Sequence, residues 1–251
     1  RSVDGVNIAK ISIEKAREYA GELKRNNIKV WSIGSPLGKI KITDDFEQHL
    51  DVVRYIIELA KVFEADKVRM FSFYVNDHDK DRGEVLSRLN KMVKLAQENN
   101  VIFYHENEKD IYGDTARYVA DILDNVKGIK SIFDAANYIQ CKQDIDEAMD
   151  MLLGRTDYIH IKDALYETGE VVPPGLGDGK IEKLLSKTSD KVLTVEPHLM
   201  VFAGYKGIDK HELKNRYVYE SNDEAFDAAV NSLKKILVKL GYKDNGSEWI
   251  K

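Results

Sequence analysis

Short apolar stretches alternate with amphipathic segments along the chain, and no low-complexity linker or change of composition interrupts the pattern. The apolar stretches predict six strands, near residues 30, 70, 103, 132, 159 and 194. When helices separate successive strands, the strands pair in parallel through right-handed β-α-β units. We therefore expect one α/β domain that spans residues 1–251.

The number of strands decides between two α/β architectures. A closed (β/α)₈ barrel has eight strands, whereas the apolar stretches account for six. If the fold is a barrel, the first strand and most of the second precede Arg1, and the given chain lacks an N-terminal β-α-β portion of roughly thirty residues. The alternative is an open, doubly wound sheet of six strands.

Apolar residues recur at helical spacing between the strands, which predicts helices. Ser12 is a good N-cap, and Ser221 with Glu224 forms a capping-box pattern. The predicted helices begin at residue 12, at 43 or 44, and at 84, 114, 144, 181 and 221, and they end near 27, 65, 100, 125, 153, 188 and 241. The polar stretch 74–82 and the glycine-rich stretch 171–180 are predicted loops.

Composition argues against several classes of partner. A net charge of −5 gives no electrostatic attraction to nucleic acid or to an anionic membrane surface, and no apolar run reaches the length of a membrane span. Cys141 is the only cysteine in the sequence. We therefore expect no disulfide framework and a reducing, cytoplasmic location.

Four consecutive predicted strands end in a residue that can bind a metal ion. These residues are Glu106, Asp134, His160 and Glu196, separated by 28, 26 and 36 residues. Because the carboxyl ends of parallel strands lie at one face of a sheet, side chains far apart in sequence can converge there. Three carboxylates and one imidazole suit Mn²⁺, Mg²⁺ or Co²⁺, and also Zn²⁺.

Each of these residues has a simpler interpretation when it is taken alone. Asp134 suits the N-cap of the next helix, and His160 suits a hydrogen-bonded core histidine. Glu106 can pair with Arg69 or Lys162, because a buried carboxylate needs a partner. Glutamate is a poor N-cap, so capping does not account for all four strand ends, and we favour the metal site.

The strand at 101–108, V-I-F-Y-H-E-N-E, carries polar side chains on both of its faces. Neighbouring side chains on a strand point in opposite directions. If Glu106 faces the site, His105 is therefore expected on the outer, helix-packed side. Asn107 and Glu108 are expected to hold the end of the strand in shape.

Five motifs stand at the strand ends and in one loop: Y-H-E-N-E-K-D-I-Y-G-D (104–114), F-D-A-A-N (133–137), Y-I-H-I-K-D-A (158–164), P-G-L-G-D-G (174–179) and V-E-P-H (195–198). Together they resemble the xylose isomerase-like TIM barrel family of sugar and sugar-phosphate isomerases and epimerases. The resemblance implies a (β/α)₈ TIM barrel that acts on a small-molecule sugar or sugar phosphate, and it allows a homodimer. It also implies one divalent metal ion, Mn²⁺ foremost, held by Glu106, Asp134, His160 and Glu196.

The reaction that this family implies moves a proton next to a sugar carbonyl. Removing the proton gives an enediolate, whose charge a divalent cation stabilises. Glu106 and Glu196 would remove and return the proton from opposite sides of the carbon. One glutamate acting twice gives aldose–ketose isomerisation, whereas two glutamates acting in turn give epimerisation, and the sequence leaves both open.

Further candidates for substrate binding are Lys162, His198, Asn137 and Arg69. Three of them also have a simpler interpretation: a salt bridge to Asp163 or a neighbouring acid for Lys162, an exposed loop position for His198, and neutralisation of the acidic cluster for Arg69. Lys162 lies two residues after His160 and therefore on the same side of its strand. Asn137 stands three residues after Asp134, where several family members carry a substrate-binding histidine. This departure leaves the identity of the sugar open.

The P-G-L-G-D-G segment matches neither the P-loop nor the dinucleotide-binding pattern. We expect a mobile loop over the mouth of the barrel, not a nucleotide site. Phe202 is a candidate for the wall of a sugar site, and the charged run 206–214 is expected to be a solvated loop.

Other functions are compatible with the same motifs. A metal-dependent, inosose-type dehydratase of a polyol ketone would eliminate water after the same proton abstraction, and a non-catalytic barrel would bind sugar without turnover. An apurinic-site endonuclease shares the fold but uses three zinc ions and many more histidines. Asn137 at a position that would need a ligand, together with the acidic net charge, argues against that class.

Overall fold

The computed structural model describes residues 2–3, 5–201 and 217–251. The chain divides into two compact units, Arg1–Ser131 and Ile132–Lys251, which are described separately. Phe202 and the charged run 206–214 lie outside the described residues. The expectation of a single domain stays a prediction.

The described part of the first unit contains four α-helices and five strands. The helices are α1 (Ile13–Arg25), α2 (Phe46–Val62), α3 (His78–Glu98) and α4 (Ala116–Asn125), with a 3₁₀ turn at Ile8–Lys10. The strands are β1 (Ser2–Val3), β2 (Val6–Asn7), β3 (Ile33–Gly34), β4 (Lys67–Met70) and β5 (Ile102–Glu106). A further strand, β6 (Lys130–Asp134), begins in this unit and ends in the second.

Parallel pairing organises the first unit. β4 pairs with β3 on one side and β5 on the other, and Arg69 lies opposite both Gly34 and Tyr104. The strand residues Val68 and Phe103 are completely buried and belong to the same apolar core as residues of α2 and α3. β1 and β2 form a separate antiparallel pair.

The helix caps explain where the helices of the first unit begin. Ser12 caps α1 as predicted, since its side chain accepts the N–H of Lys15. The prediction for α3 was wrong at its start: five residues of the expected loop 74–82 are helical. Asp77 accepts the N–H groups of Asp79 and Lys80, and acidic residues in the first turn favour a helix.

The described part of the second unit contains four α-helices and shorter strands. The helices are α5 (Ala135–Gln140), α6 (Ile145–Leu152), α7 (Ile181–Ser186) and α8 (Asn222–Lys239), with a 3₁₀ turn at Leu153–Arg155. The strands after β6 are β7 (Thr156–Ile161), β8 (Asp163–Ala164), β9 (Val171–Val172), β10 (Val192–Val195), β11 (Met200–Val201), β12 (Val218–Tyr219), β13 (Lys243–Asp244) and β14 (Trp249–Ile250).

In the second unit, β7 lies beside β6 and pairs in parallel with β10, so that Thr194 lies opposite His160. β8 and β9 form an antiparallel hairpin, which places a short strand inside the predicted loop 171–180. Ser221 caps α8 by accepting the N–H of Glu224, whose carboxylate accepts the N–H of Glu220. This confirms a capping arrangement at the predicted start of the last helix.

All six predicted strands are present, as β3, β4, β5, β6, β7 and β10, although β3 is shorter than expected. The helix α5 was not predicted. None of the described helices is both long enough and apolar enough to cross a lipid bilayer.

Candidate metal centre

Three of the predicted ligands come together in the second unit. Asp134 is the last residue of β6, His160 is the last but one of β7, and Glu196 directly follows β10. A ligand atom from each lies within 4.8 Å of the others. Asp134 and His160 are buried, whereas 20% of the Glu196 side chain is exposed. The three strand ends therefore form a cluster with one side open to a ligand.

The donor atoms of this cluster suit a divalent metal ion. His160 Nδ1 lies 3.2 Å from Glu196 Oε2 and 4.0 Å from Asp134 Oδ2. Carboxylate oxygens with one imidazole nitrogen form a donor set that Mn²⁺, Mg²⁺, Co²⁺ and Zn²⁺ all accept. The residues present therefore fit such an ion, and the donor set does not choose among these metals.

Lys162 compensates the negative charge of the cluster. Its ammonium group lies 2.9 Å from Asp134 Oδ2 and 3.7 Å from Glu196 Oε2, and it donates a 2.8 Å hydrogen bond to Asn137 Oδ1. The lysine side chain is only 4% exposed. A buried charge requires such partners. Lys162 thus lies on the side of His160, as the two-residue spacing predicts.

The two carboxylate oxygens of Asp134 have different surroundings, and the N-cap interpretation is confirmed. Its Oδ1 accepts the N–H of Asn137 at 2.9 Å and caps α5. Its Oδ2 faces Lys162 and His160. One carboxylate therefore holds the helix start with one oxygen and leaves the other available to the cluster.

His198 lies at the exposed edge of the cluster. Its Nε2 is 3.7 Å from Glu196 Oε1, and about half of the side chain (52%) is exposed. This position allows the imidazole to reach both the glutamate and a molecule that binds from solvent.

The first unit holds Glu106 at the end of β5. Its carboxylate accepts a 2.9 Å hydrogen bond from Arg69 Nη1, and both side chains are buried. Arg69 also donates to the carbonyl of Ser35. The ion pair that the sequence offered as the simpler interpretation of Glu106 is therefore present. Glu108 pairs instead with Lys39.

His105 has different contacts from those of its neighbour Glu106. Its Nε2 lies 2.9 Å from Ser72 Oγ, which also accepts the N–H of Gly113. A Cβ at Gly113 would lie 2.3 Å from the imidazole. Burial lowers the pKa of His105 to about 4, so the imidazole is neutral at pH 7. These contacts support a structural role for His105.

One residue of the second unit escaped sequence reasoning. Asp163 is fully buried and accepts hydrogen bonds from several backbone N–H groups of the glycine-rich loop 174–179. The alternation of Gly175, Gly177 and Gly179 was the available signal, because it allows backbone to approach a side chain closely.

Acidic and imidazole side chains lie at successive strand ends of this α/β chain. Barrel proteins build their active sites at the carboxyl ends of their strands. The chain matches the family model described as xylose isomerase-like TIM barrel over residues 3–236, and it belongs to that family. Its fold class is therefore the TIM barrel. None of the curated proteins matches the chain.

Solved structures with low sequence identity share this fold. The IOLI protein with a binding zinc atom aligns with a TM-score of 0.68 at 17% identity, covering 92% of this chain and 83% of its own. A D-tagatose 3-epimerase-like protein aligns with a TM-score of 0.68 at 15% identity, covering 92% and 85%. The probable 3-DHS dehydratase AsbF from Bacillus anthracis aligns with a TM-score of 0.66 at 17% identity, covering 88% and 82%.

Proposed function

We propose that the protein is a divalent-metal-dependent isomerase or epimerase of a sugar or sugar phosphate, and that it works by proton transfer next to a carbonyl. The observation that carries the proposal is the convergence of Asp134, His160 and Glu196 around a buried lysine. The proposed cofactor is one divalent ion, Mn²⁺ first, with Mg²⁺, Co²⁺ and Zn²⁺ as alternatives.

Glu106 is proposed as the fourth ligand. It ends β5 as Asp134 ends the next main strand, β6, and it is 2% exposed. In the family's barrel, the carboxyl ends of successive strands lie at one face. Arg69, which pairs with Glu106, then offsets part of the negative charge of the four-residue set and orients the carboxylate.

When bound, the divalent ion supplies positive charge beside the substrate carbonyl as negative charge develops there. Glu196 is partly exposed and is proposed to take the proton from the neighbouring carbon. Delivery of that proton by Glu196 to the former carbonyl carbon, with the hydroxyl proton moving to the other oxygen, gives isomerisation. Delivery of a proton by Glu106 to the opposite face of the original carbon gives epimerisation. Lys162 is proposed to donate a hydrogen bond to a substrate oxygen while it keeps Asp134 oriented.

The substrate is proposed to lie on the exposed side of Glu196, where His198 can hydrogen-bond a hydroxyl. Asn137 is held by Lys162 through its Oδ1. It is proposed to contribute its amide to substrate binding where several family members carry a histidine.

One observation favours a dehydratase as the second candidate. His198 lies beside Glu196 and is half exposed, so an imidazolium there can give a proton to a departing hydroxyl after Glu196 has taken one from carbon. The same site would then eliminate water from a cyclic polyol ketone.

Solvent deuterium incorporation separates these reactions. The full chain with Mn²⁺ is incubated in D₂O with a panel of ketoses, their phosphates and a cyclic polyol ketone, and the products are followed by NMR and mass spectrometry. Deuterium next to the carbonyl of an isomeric or epimeric sugar supports the main proposal, whereas loss of water supports the dehydratase. Mn²⁺ binding with no exchange in any substrate would favour a non-catalytic sugar-binding barrel.

Variants assign the proton transfer to particular residues. Glu106→Gln and Glu196→Gln keep the shape of the side chain and remove the base, so exchange is expected to fall at least a hundredfold. Glu108→Gln is the matched control, because Glu108 pairs with Lys39 and is given no part in the proposal. Exchange that persists in both active-site variants contradicts the assigned roles.

A further inference from the structure

The carboxylate of Asp163 is enclosed by backbone donors. Its Oδ1 accepts the N–H groups of Ala164 at 2.9 Å and Gly179 at 2.8 Å. Its Oδ2 accepts those of Gly175 at 2.8 Å and Gly177 at 3.1 Å. Both oxygens therefore have two donors each. Burial raises the pKa of the Asp163 carboxyl, and these four hydrogen bonds offset part of that effect.

The glycines of this loop are required by the closeness of the backbone to the carboxylate. A Cβ on Gly177 would lie 2.5 Å from both Asp163 Oδ1 and the carbonyl oxygen of Ala164. A Cβ on Gly179 would lie 2.6 Å from Asp163 Oδ1 and 3.2 Å from the Cβ of Ala135. Neither glycine has a positive φ, so conformational freedom alone does not explain them. We call residues 175–179 the glycine strap.

The glycine strap contacts residues that follow two of the three strand ends of the cluster, those of β6 and β7. Asp163 directly follows Lys162, which contacts Asp134 and Glu196. At the other end of the strap, Gly179 lies against Ala135, the residue after Asp134. A shift of the strap would thus move the backbone beside Lys162 and beside Asp134.

We propose that Asp163 is a positioning residue of the candidate metal centre, which fixes Lys162, His160 and Asp134 by holding the glycine strap. The inference rests on the proposed function, because it assigns Asp163 to the same metal-dependent site. Residues that orient metal ligands through hydrogen bonds often change metal affinity when they are replaced. Asp163 touches neither the substrate nor the ion in this account and acts only through its neighbours.

Asp163→Asn tests this role with little change of shape. The amide keeps one acceptor oxygen, but its NH₂ group faces two backbone N–H donors, so two of the four hydrogen bonds are lost. Asp178→Asn is the matched control, because Asp178 lies in the strap, is exposed and accepts the N–H of Tyr166 instead of holding the strap glycines. Both variants remove one negative charge, Asp163→Asn from the strand residue that binds the strap and Asp178→Asn from the strap itself.

Two measurements on the full chain read out the effect. In Asp163→Asn, we expect the Kd for Mn²⁺, measured by calorimetry, to rise roughly 10- to 100-fold, and the amides of the strap to exchange hydrogen faster by mass spectrometry. Asp178→Asn is expected to keep the wild-type Mn²⁺ affinity. Gly177→Ala places a Cβ against Asp163 and is expected to weaken Mn²⁺ binding as Asp163→Asn does. Gly154→Ala is its control, because a Cβ at Gly154 has no atom within 4 Å.

The outcomes separate the inference from the proposed function. A wild-type chain that binds no Mn²⁺ overturns the proposed function. If the wild-type chain binds Mn²⁺ and the folded Asp163→Asn and Gly177→Ala variants bind it equally well, only the proposed role of Asp163 is overturned. Urea unfolding of each variant is the last control: if Mn²⁺ binding falls only in proportion to the fraction of folded chain, Asp163 stabilises the fold and does not position the centre.

Discussion

The two carboxylate oxygens of Asp134 have different partners. Oδ1 caps α5 through Asn137, and Oδ2 faces Lys162 and His160. The spacing of strand ends was sufficient to select this residue, and its N-cap role was also foreseen. That one oxygen caps α5 while the other faces the cluster could not be read from the sequence, since it depends on the rotation of one side chain.

Asp134→Asn separates the two contacts. Asparagine is an N-cap as good as aspartate, so α5 should keep its start. The negative charge toward the cluster is lost, so the Kd for Mn²⁺ is expected to rise at least about tenfold. Calorimetry measures the affinity, and circular dichroism measures the thermal midpoint.

Asp144→Asn provides the control, because Asp144 caps α6 by accepting the N–H of Glu147 and is exposed. This change should leave Mn²⁺ affinity unaltered. Equal losses of affinity in the two variants would mean that general charge, and not a ligand at Asp134, determines binding.

At the scale of elements, buried polar side chains on a helix and a strand of the first unit hold neighbouring loops in place. His49, on α2, accepts the N–H of Gly38 at 3.0 Å. His105, on β5, contacts Ser72, which also accepts the N–H of Gly113. Burial lowers the pKa of each imidazole to about 4. For His49, the positive charge of Arg88 also lowers the pKa.

These histidines predict a loss of stability in mild acid. The pKa is about 6.5 in an unfolded chain and about 4 in the folded one. Between these values the unfolded state binds more protons, so the free energy of unfolding should fall as the pH drops from about 6.5 to 4. Each histidine accounts for about 3 kcal/mol at most.

Urea unfolding at pH 7 and pH 4.5 measures this change. His49→Gln and His105→Gln are each expected to be less stable at pH 7 and to show a smaller difference between the two pH values. A wild-type free energy of unfolding that is equal at both pH values would contradict the neutral, buried state of these side chains.

Elements with a strong apolar pattern could be predicted, and those defined by polar contacts could not. β5, β6, β7 and β10 are within one residue of their expected ends. The start of α3 depends on the Asp77 cap, and α5 depends on Oδ1 of Asp134. The start of α3 was predicted as a loop and the α5 segment was given no assignment, because neither shows apolar spacing over enough residues.

At the scale of the whole molecule, the family assignment and the residues at the strand ends could be reached from sequence. Strand spacing and motif order carry this information, because each β-α unit delivers one residue to the same face. The contacts among these residues could not be reached. Lys162 contacts Asp134 and Asn137, and Asp163 binds the glycine strap. These contacts depend on distances between side chains that sequence spacing does not determine.

The identity of the substrate depends on the exact positions of side chains around the site. His198 contacts Glu196 and Asn137 contacts Lys162. Both are proposed to bind a sugar hydroxyl, and small displacements of such groups separate an isomerase from an epimerase or a dehydratase. Membership of the family therefore favours proton transfer as the reaction but does not identify the sugar.

The stoichiometry of Mn²⁺ binding to the full chain tests the central claim most directly. Calorimetric titration, supported by elemental analysis, should give one Mn²⁺ per chain, with binding strongly weakened in Glu196→Gln and retained in Glu108→Gln. No Mn²⁺ binding by the wild-type chain, or binding that is unchanged in Glu196→Gln, would contradict the account.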